Sequence, residues 1–203
     1  MMCDLERYSV AGPPRAALPS DVVTAVEICA ETPAHVDQVR EVHRRAFAGD
    51  PRVPKLVDAL RAAPAPLSPL SFVATADGRV VGHVLLSASR LDAPRRLVDV
   101  LVLSPLGVDP EHQRTGIGSR LIAHALDAAD ARSIPLVFLE GSPGYYGRRG
   151  FESASAAGFR SPSLRIPDAG FQVARLSSYE SWMTGTLVYA ETFWALDCVG
   201  LRQ

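Results

Sequence analysis

The sequence predicts a mixed α/β domain, and three observations carry that expectation. Short apolar, β-branched runs and amphipathic helical stretches follow one another in the order β-α-α-β-β-β-α-β-α-β. The run at 134–139 is apolar without alternation, which suits a strand in a sheet covered on both faces. With 203 residues, 47% hydrophobic and 21% charged, the chain has enough apolar material for a buried core without disulfide or metal staples.

Residues 1–21 contain Pro13, Pro14 and Pro19 and lack the basic-then-apolar order of a signal peptide. They are expected to form a flexible extension, with the folded domain at 22–203. The weakly alternating, β-branched run at 22–29 reads as a first strand. Thr32-Pro33 is a helix-start pair, and Val36, Val39, Val42, His43, Ala46 and Phe47 recur at helical spacing, so 33–47 is an amphipathic helix. Gly49-Asp50-Pro51 ends it. Val53, Leu56, Val57 and Leu60 mark a second helix over 53–63, followed by a stiff connector at Pro64, Pro66 and Pro69. Strands at 71–76 and 79–88 flank Asp77-Gly78, a strong hairpin signal. A long apolar strand spans 97–108, and Ser104-Pro105 inside it predicts a bulge or splay. Leu121, Ile122, Ala125, Leu126 and Ala129 share one face of a helix over 116–132. After the strand at 134–139, residues 142–149 read as helix or turn, and strand regions follow Gly150-Phe151 and at 171–176.

Charge and cysteine usage exclude several classes. The 21 Lys and Arg residues nearly cancel 22 Asp and Glu, so no global field holds the chain on nucleic acid or an anionic membrane. Cys3, Cys29 and Cys198 are isolated and lack metal-ligand spacing. They read as reduced thiols, so a cytoplasmic location is expected and no metal is. No apolar run approaches the roughly 20 residues of a membrane span.

The stretch that carries chemistry runs from Leu106, Gly107 and Val108 through Gln113, Arg114, Thr115, Gly116, Ile117, Gly118 and Ser119. An apolar strand ends, a polar turn follows, and a helix opens on Gly-x-Gly. The first N–H groups of a helix have no internal acceptor and sit at the positive end of its dipole. Glycines there remove the Cβ atoms that would keep a phosphate away, which makes an anion cradle. A Walker loop is excluded, because the only lysine is Lys55. A dinucleotide fingerprint needs a third glycine where Leu121 stands.

Gln113, Gly116 and Gly118 after a strand ending at Val108 resemble motif A of the Gcn5-related N-acetyltransferases, the GNAT family. Tyr146 to Phe151 matches that family's Tyr-x-x-x-Gly-Phe, and Gly141 to Tyr146 resembles the turn of its YhbS-like bacterial branch. The resemblance implies a mostly antiparallel sheet with a splay after the fourth strand and helices on both faces. It implies acetyl-CoA as co-substrate and an amine acceptor, small molecule or peptide, attacking directly in a ternary complex. Leu106, Gly107 and Val108 would pair with the pantetheine arm, residues 113–119 would supply amides to the diphosphate, and Tyr146 stands at the general-acid position. Tyr145 is the neighbouring candidate for that role. Arg114 and Arg120 flank the loop, and Arg148 and Arg149 follow the tyrosine.

The base does not follow from the motifs. Some relatives carry a glutamate where this chain has Val102. Ser104, Asp99, His83, Glu140 and His43 are the remaining candidates, beside a water chain or a substrate amine that arrives already neutral. The missing carboxylate motivates an alternative, a non-catalytic acyl-CoA-binding module. The Phe193-Trp194 tail has three readings: a sheet cover, a groove lining, or a subunit contact in a homodimer.

Overall fold

The computed structural model describes residues 25–200. The expected extension at 1–21 and the start of the first expected strand at Val22 lie outside them. The rest of that strand is β1 (Val26–Ala30), antiparallel to β2 (Leu70–Ala76). Between them, the expected helix at 33–47 opens as a 3-10 turn at Pro33–His35 before α1 (Val36–Ala46). His35 Nδ1 accepts from the Thr32 N–H at 3.2 Å, which tightens that first turn. The second helix, α2 (Arg52–Ala62), starts one residue earlier than the periodicity indicates. The stripes Val39, Val42, His43 and Leu56, Val57, Leu60 bury against one face of the sheet.

Asp77 and Gly78 both take left-handed φ values, 49° and 74°, and turn β2 tightly into β3 (Arg79–Asp92). This strand runs past the expected end at residue 88. The last β2 pairing is Leu70 with Leu86, and farther along the same strand Arg90 to Asp92 pair with β9 (Gly185–Val188). Buried on both faces from Val80 to Ser89, β3 cannot show a clean alternation.

The partner on its other edge is β4 (Leu97–Val108). Val84 faces Leu106 and Leu86 faces Leu103, so Leu85 stands against both Ser104 and Pro105. That is the bulge the proline predicts, and the Ser104–Pro105 peptide is cis. From there α3 (Ile117–Ala131) crosses the opposite face and buries Ile117, Leu121, Ile122, Ala125 and Ala129. Gly82 lets it close: a Cβ there would lie 3.0 Å from both Ile117 Cγ2 and Leu121 Cδ1.

Next, β5 (Leu136–Glu140) runs parallel to β4, but their pairing is confined to Leu101–Val137 and Val102–Phe138. Beyond Val102 the two strands part, and this is the splay after the fourth strand. A short α4 (Pro143–Tyr146) leads to β6 (Glu152–Ser153) and β7 (Phe159–Arg160), the latter parallel to β9. The far side of β5 carries β8 (Phe171–Arg175), antiparallel, and β6 beyond it. Finally, α5 (Glu191–Ala195) packs beside α2. Phe193 is buried in the core there, whereas Trp194 stays exposed.

One core lies under α3 and holds Val84, Leu86, Leu101 and Leu103. The other lies under α2 and holds Leu85, Val100, Val102, Phe138 and Phe171. Each wholly buried aliphatic side chain contributes about 1.5–3 kcal/mol of transfer free energy. Among the described residues no helix is long and apolar enough to cross a membrane.

Candidate active site

The loop from β4 to α3 is built by side-chain bonds to its own backbone. The Asp109 carboxylate accepts from the Glu111 N–H at 3.0 Å and pairs with Arg45 at 2.7 Å. Gln113 Nε2 donates to the Val108 carbonyl at 3.0 Å and ties the loop to the strand end. The Thr115 hydroxyl donates to the His112 carbonyl at 2.6 Å. Arg114 and Gly116 take left-handed φ values of 63° and 89°, and the helix opens immediately after. The Arg120 N–H is accepted by Gly116 at 3.1 Å, so those of Ile117, Gly118 and Ser119 precede the helical ladder. A Cβ on Gly118 would strike the Tyr145 hydroxyl, so the glycine lets that hydroxyl seat against the first turn of α3.

A cavity of about 500 Å³ lies over these groups. Leu106, Val108, Gln113, Arg114, Gly116, Gly118 and Ser119 line it, with Tyr145, Tyr146 and Arg149 opposite. Gly107, Thr115 and Ile117 offer no side chain to it. The absent Gly107 Cβ points at α1, the Thr115 hydroxyl is engaged in the loop, and the Ile117 side chain is core. Arg120 turns away and donates to the Val26 carbonyl at 2.7 Å. Arg148 is exposed outside the cavity. Arg149 braces the wall: its Nε donates to Ser119 Oγ at 2.9 Å, and its guanidinium lies 3.6 Å from the Tyr145 ring centre.

The β4 edge beside this cavity is open. Asp109 N–H donates to the Val81 carbonyl at 2.9 Å, and His83 stands opposite Gly107. Antiparallel alternation therefore turns the amides of Gly107 and Asp109 toward β3 and those of Leu106 and Val108 toward the edge that β5 leaves.

Tyr146 closes α4. Its ring packs on Gly141, where a Cβ would overlap it, and meets Phe151 edge-on at 5.8 Å. Burial, with Tyr145 alongside, pushes the phenol up to about 12 against the pull of Arg149, so it is protonated at neutral pH. The hydroxyl has no hydrogen-bond partner among the described residues. Together with Leu106, Tyr146 also lines a second cavity, of about 290 Å³. This one lies between the start of α2, the bulge at Ser104-Pro105, Glu140 and the turn at 197–200. Tyr145 does not line it.

The base candidates separate clearly. Val102 is core, and Asp99 lies on the outer part of β4, 3.7 Å from Arg90. His43 and His83 are wholly buried and line neither cavity. They belong to a chain of bonds. Arg61 pairs with Glu31 at 2.7 Å, and the Ser71 hydroxyl donates to Glu31 and accepts from His83 Nε2 at 2.8 Å. His83 Nδ1 then accepts from His43 Nε2 at 2.7 Å. This order of neutral tautomers gives every bond of the chain one donor and one acceptor, and it leaves His43 Nδ1 without a partner among the described residues. Burial, with His83 adding to it, lowers His43 to about 3, and burial also lowers His83 against the pull of Glu31. Ser104 and Glu140 line the second cavity.

His43 supports β4 from beneath. A Cβ on Gly107 would lie 2.8 Å from His43 Nδ1 and 2.9 Å from its Cε1. The ring cannot yield without breaking its bond to His83. Gly107→Ala is therefore expected to cost about 1–3 kcal/mol of stability, read as a shifted urea midpoint.

Residues 27–154 match the model of the acetyltransferase (GNAT) domain. The chain belongs to the GNAT acetyltransferase family. This GNAT chain is 34% identical over 157 residues to YjhQ of Escherichia coli K12, an uncharacterized N-acetyltransferase, covering 75% of this chain and 86% of that protein. Among solved structures, the GNAT-family N-acetyltransferase YhbS of Escherichia coli in complex with CoA superposes with a TM-score of 0.74 at 28% identity. That match covers 86% of this chain and 94% of the other. A GNAT acetyltransferase of Brucella melitensis in complex with acetyl-CoA gives 0.66 at 29% identity, over 84% and 99%.

The Tyr189 hydroxyl and Gly200 N–H that hold Glu140, and the brace of Arg149 on Ser119, were outside the reach of motif reasoning. Each joins segments whose pairing no local pattern announces.

Proposed function

We propose that the protein transfers the acetyl group of acetyl-CoA to a primary amine by direct attack, with residues 22–203 forming the one catalytic domain. The observation that carries this reading is the placement of Tyr146 and Leu106, which border both the cradle cavity and the second cavity. A group that must reach a donor from one side and an acceptor from the other belongs at that border.

The residues fit acetyl-CoA. The amides of Ile117, Gly118 and Ser119, without partners among the described residues, the open space where Gly116 lacks a Cβ, and the Arg114 side chain suit a diphosphate. The open edge at Leu106 and Val108 suits an amide-bearing arm that completes the strand pairing β5 does not supply. Gly107 contributes by letting the strand lie close to His43, and Gln113, Thr115 and Gly116 hold the loop. Bound acetyl-CoA supplies an activated acetyl carbon and a thiol leaving group. A backbone N–H on the Leu106 to Val108 edge is placed to stabilise negative charge on an acyl oxygen. Tyr146 holds its proton on Oη at neutral pH and delivers it to the departing sulfur.

Calorimetry with acetyl-CoA and with CoA is the direct test. Saturable binding is expected, and no heat at near-millimolar ligand overturns the reading. Binding without release of free CoA against a panel of amines favours a non-catalytic acyl-CoA module.

A further inference from the structure

The second cavity holds one carboxylate that its neighbours do not neutralise. Asp50 is engaged by Arg52 at 2.6 Å, and Asp197 by Arg165 at 3.0 Å. Glu140 has no cation within 4 Å among the described residues. It is nonetheless held firmly. Oε1 accepts from the Tyr189 hydroxyl at 2.8 Å, and Oε2 accepts from the Gly200 N–H at 3.0 Å. A carboxylate has about four lone-pair sites, so acceptor capacity is left over. Tyr146 lines the same cavity.

Resting on the function proposed above, we infer that Glu140 is the counter-ion and proton acceptor for the acceptor substrate, a compact primary ammonium ion rather than a peptide chain. Two observations support this beyond the lone carboxylate. The cavity, about 290 Å³, falls at or below the roughly 300–1,000 Å³ of pockets that bury drug-sized ligands. Phe47, Val53, Leu56 and Leu103 give it apolar walls, suited to the carbon frame of a small amine. The step balances. Glu140 takes one proton from the ammonium and frees the nitrogen lone pair, which forms the N–C bond as the C–S bond breaks. Tyr146 gives its proton to the sulfur, and the second proton shed by the nitrogen restores the phenol. The net products are the amide, the thiol and one proton released through Glu140.

Burial raises Glu140 above the ordinary carboxylate range, opposed by the Tyr189 and Gly200 bonds and by the charge of Arg165, which makes it a stronger base. Asp50, Arg52 and Asp197 also line the cavity, but they are held in ion pairs, Arg52 with Asp50 at 2.6 Å and with Asp197 at 3.6 Å, and Arg165 with Asp197 at 3.0 Å. Cys198, raised by burial, adds no charge at neutral pH. Amine binding must therefore weaken as pH falls and Glu140 takes up its own proton.

Benzylamine and benzyl alcohol, alike in shape and different in charge, are the probes, titrated by calorimetry into the CoA-saturated protein. The amine is expected to bind about 10- to 100-fold tighter than the alcohol. Glu140→Gln, which keeps the size of the side chain, should erase that difference and leave CoA affinity unchanged. The wild-type preference should also fade toward low pH, a readout that needs no variant. Equal binding of both probes to the wild type, or an amine preference that survives in Glu140→Gln, overturns the inference. If CoA itself fails to bind, the proposed function falls, and the same titration of the free protein still decides the amine site.

Discussion

Replacing Tyr146 with phenylalanine is expected to lower kcat by about 100- to 1,000-fold while the CoA dissociation constant stays within about twofold. The substitution removes one oxygen and nothing else of consequence. The ring keeps its seat on Gly141 and its edge contact with Phe151. The hydroxyl has no partner among the described residues to strand, so no hydrogen bond among them is lost. What disappears is a proton held at neutral pH by a phenol pushed up to about 12, at the border of two cavities. Steady-state kinetics on an accepted amine, paired with CoA calorimetry, separates the two effects. Tyr145→Phe supplies the contrast, because that hydroxyl sits against Gly118 in the cradle. Its effect belongs in CoA affinity. A Tyr146→Phe enzyme with full kcat would place the general acid elsewhere.

Gly118→Asp is expected to weaken CoA binding by about 100-fold or more. Two unit charges near 4 Å repel by about 4 kcal/mol at an effective dielectric of 20, and each 1.4 kcal/mol is tenfold in affinity. The new carboxylate would occupy the N–H groups the diphosphate needs, so the protein would carry its own competitor. The free protein should tolerate it. An acid in the first turn gains about 0.3–1 kcal/mol from the helix dipole, which offsets the shift the new Cβ imposes on the far end of the Tyr145 side chain, partly exposed and stacked on Arg149. Thermal melting should therefore change little while calorimetry loses the CoA signal. Retained affinity would move the diphosphate away from the start of α3.

Much of this architecture was legible in the chain before any coordinates. The bounds of β4, the Asp77-Gly78 hairpin and the bulge at Pro105 follow from local chemistry, namely β-branched runs, left-handed turn residues and a missing N–H. The cradle was legible for the same reason, since a strand, a turn and a Gly-x-Gly helix start are contiguous. The end of β3 was not, because it depends on pairing with β9 about a hundred residues away. The base was not either. His83 is a base candidate by its imidazole on a strand, but α1 buries it behind His43, and a strand pattern does not reveal what packs on it. Glu140 gains its setting from Tyr189 and Gly200, 49 and 60 residues downstream. In the inference drawn above, the carboxylate absent at Val102 is supplied from the end of β5, on the other side of the splay.

A crystal structure with CoA bound measures the central claim most directly. The diphosphate is expected on the amides of Ile117, Gly118 and Ser119. The arm should lie along the Leu106–Val108 edge, with the sulfur within hydrogen-bond reach of Tyr146 Oη and facing the second cavity. A sulfur on the far side of Tyr145, or a diphosphate away from the start of α3, would contradict it.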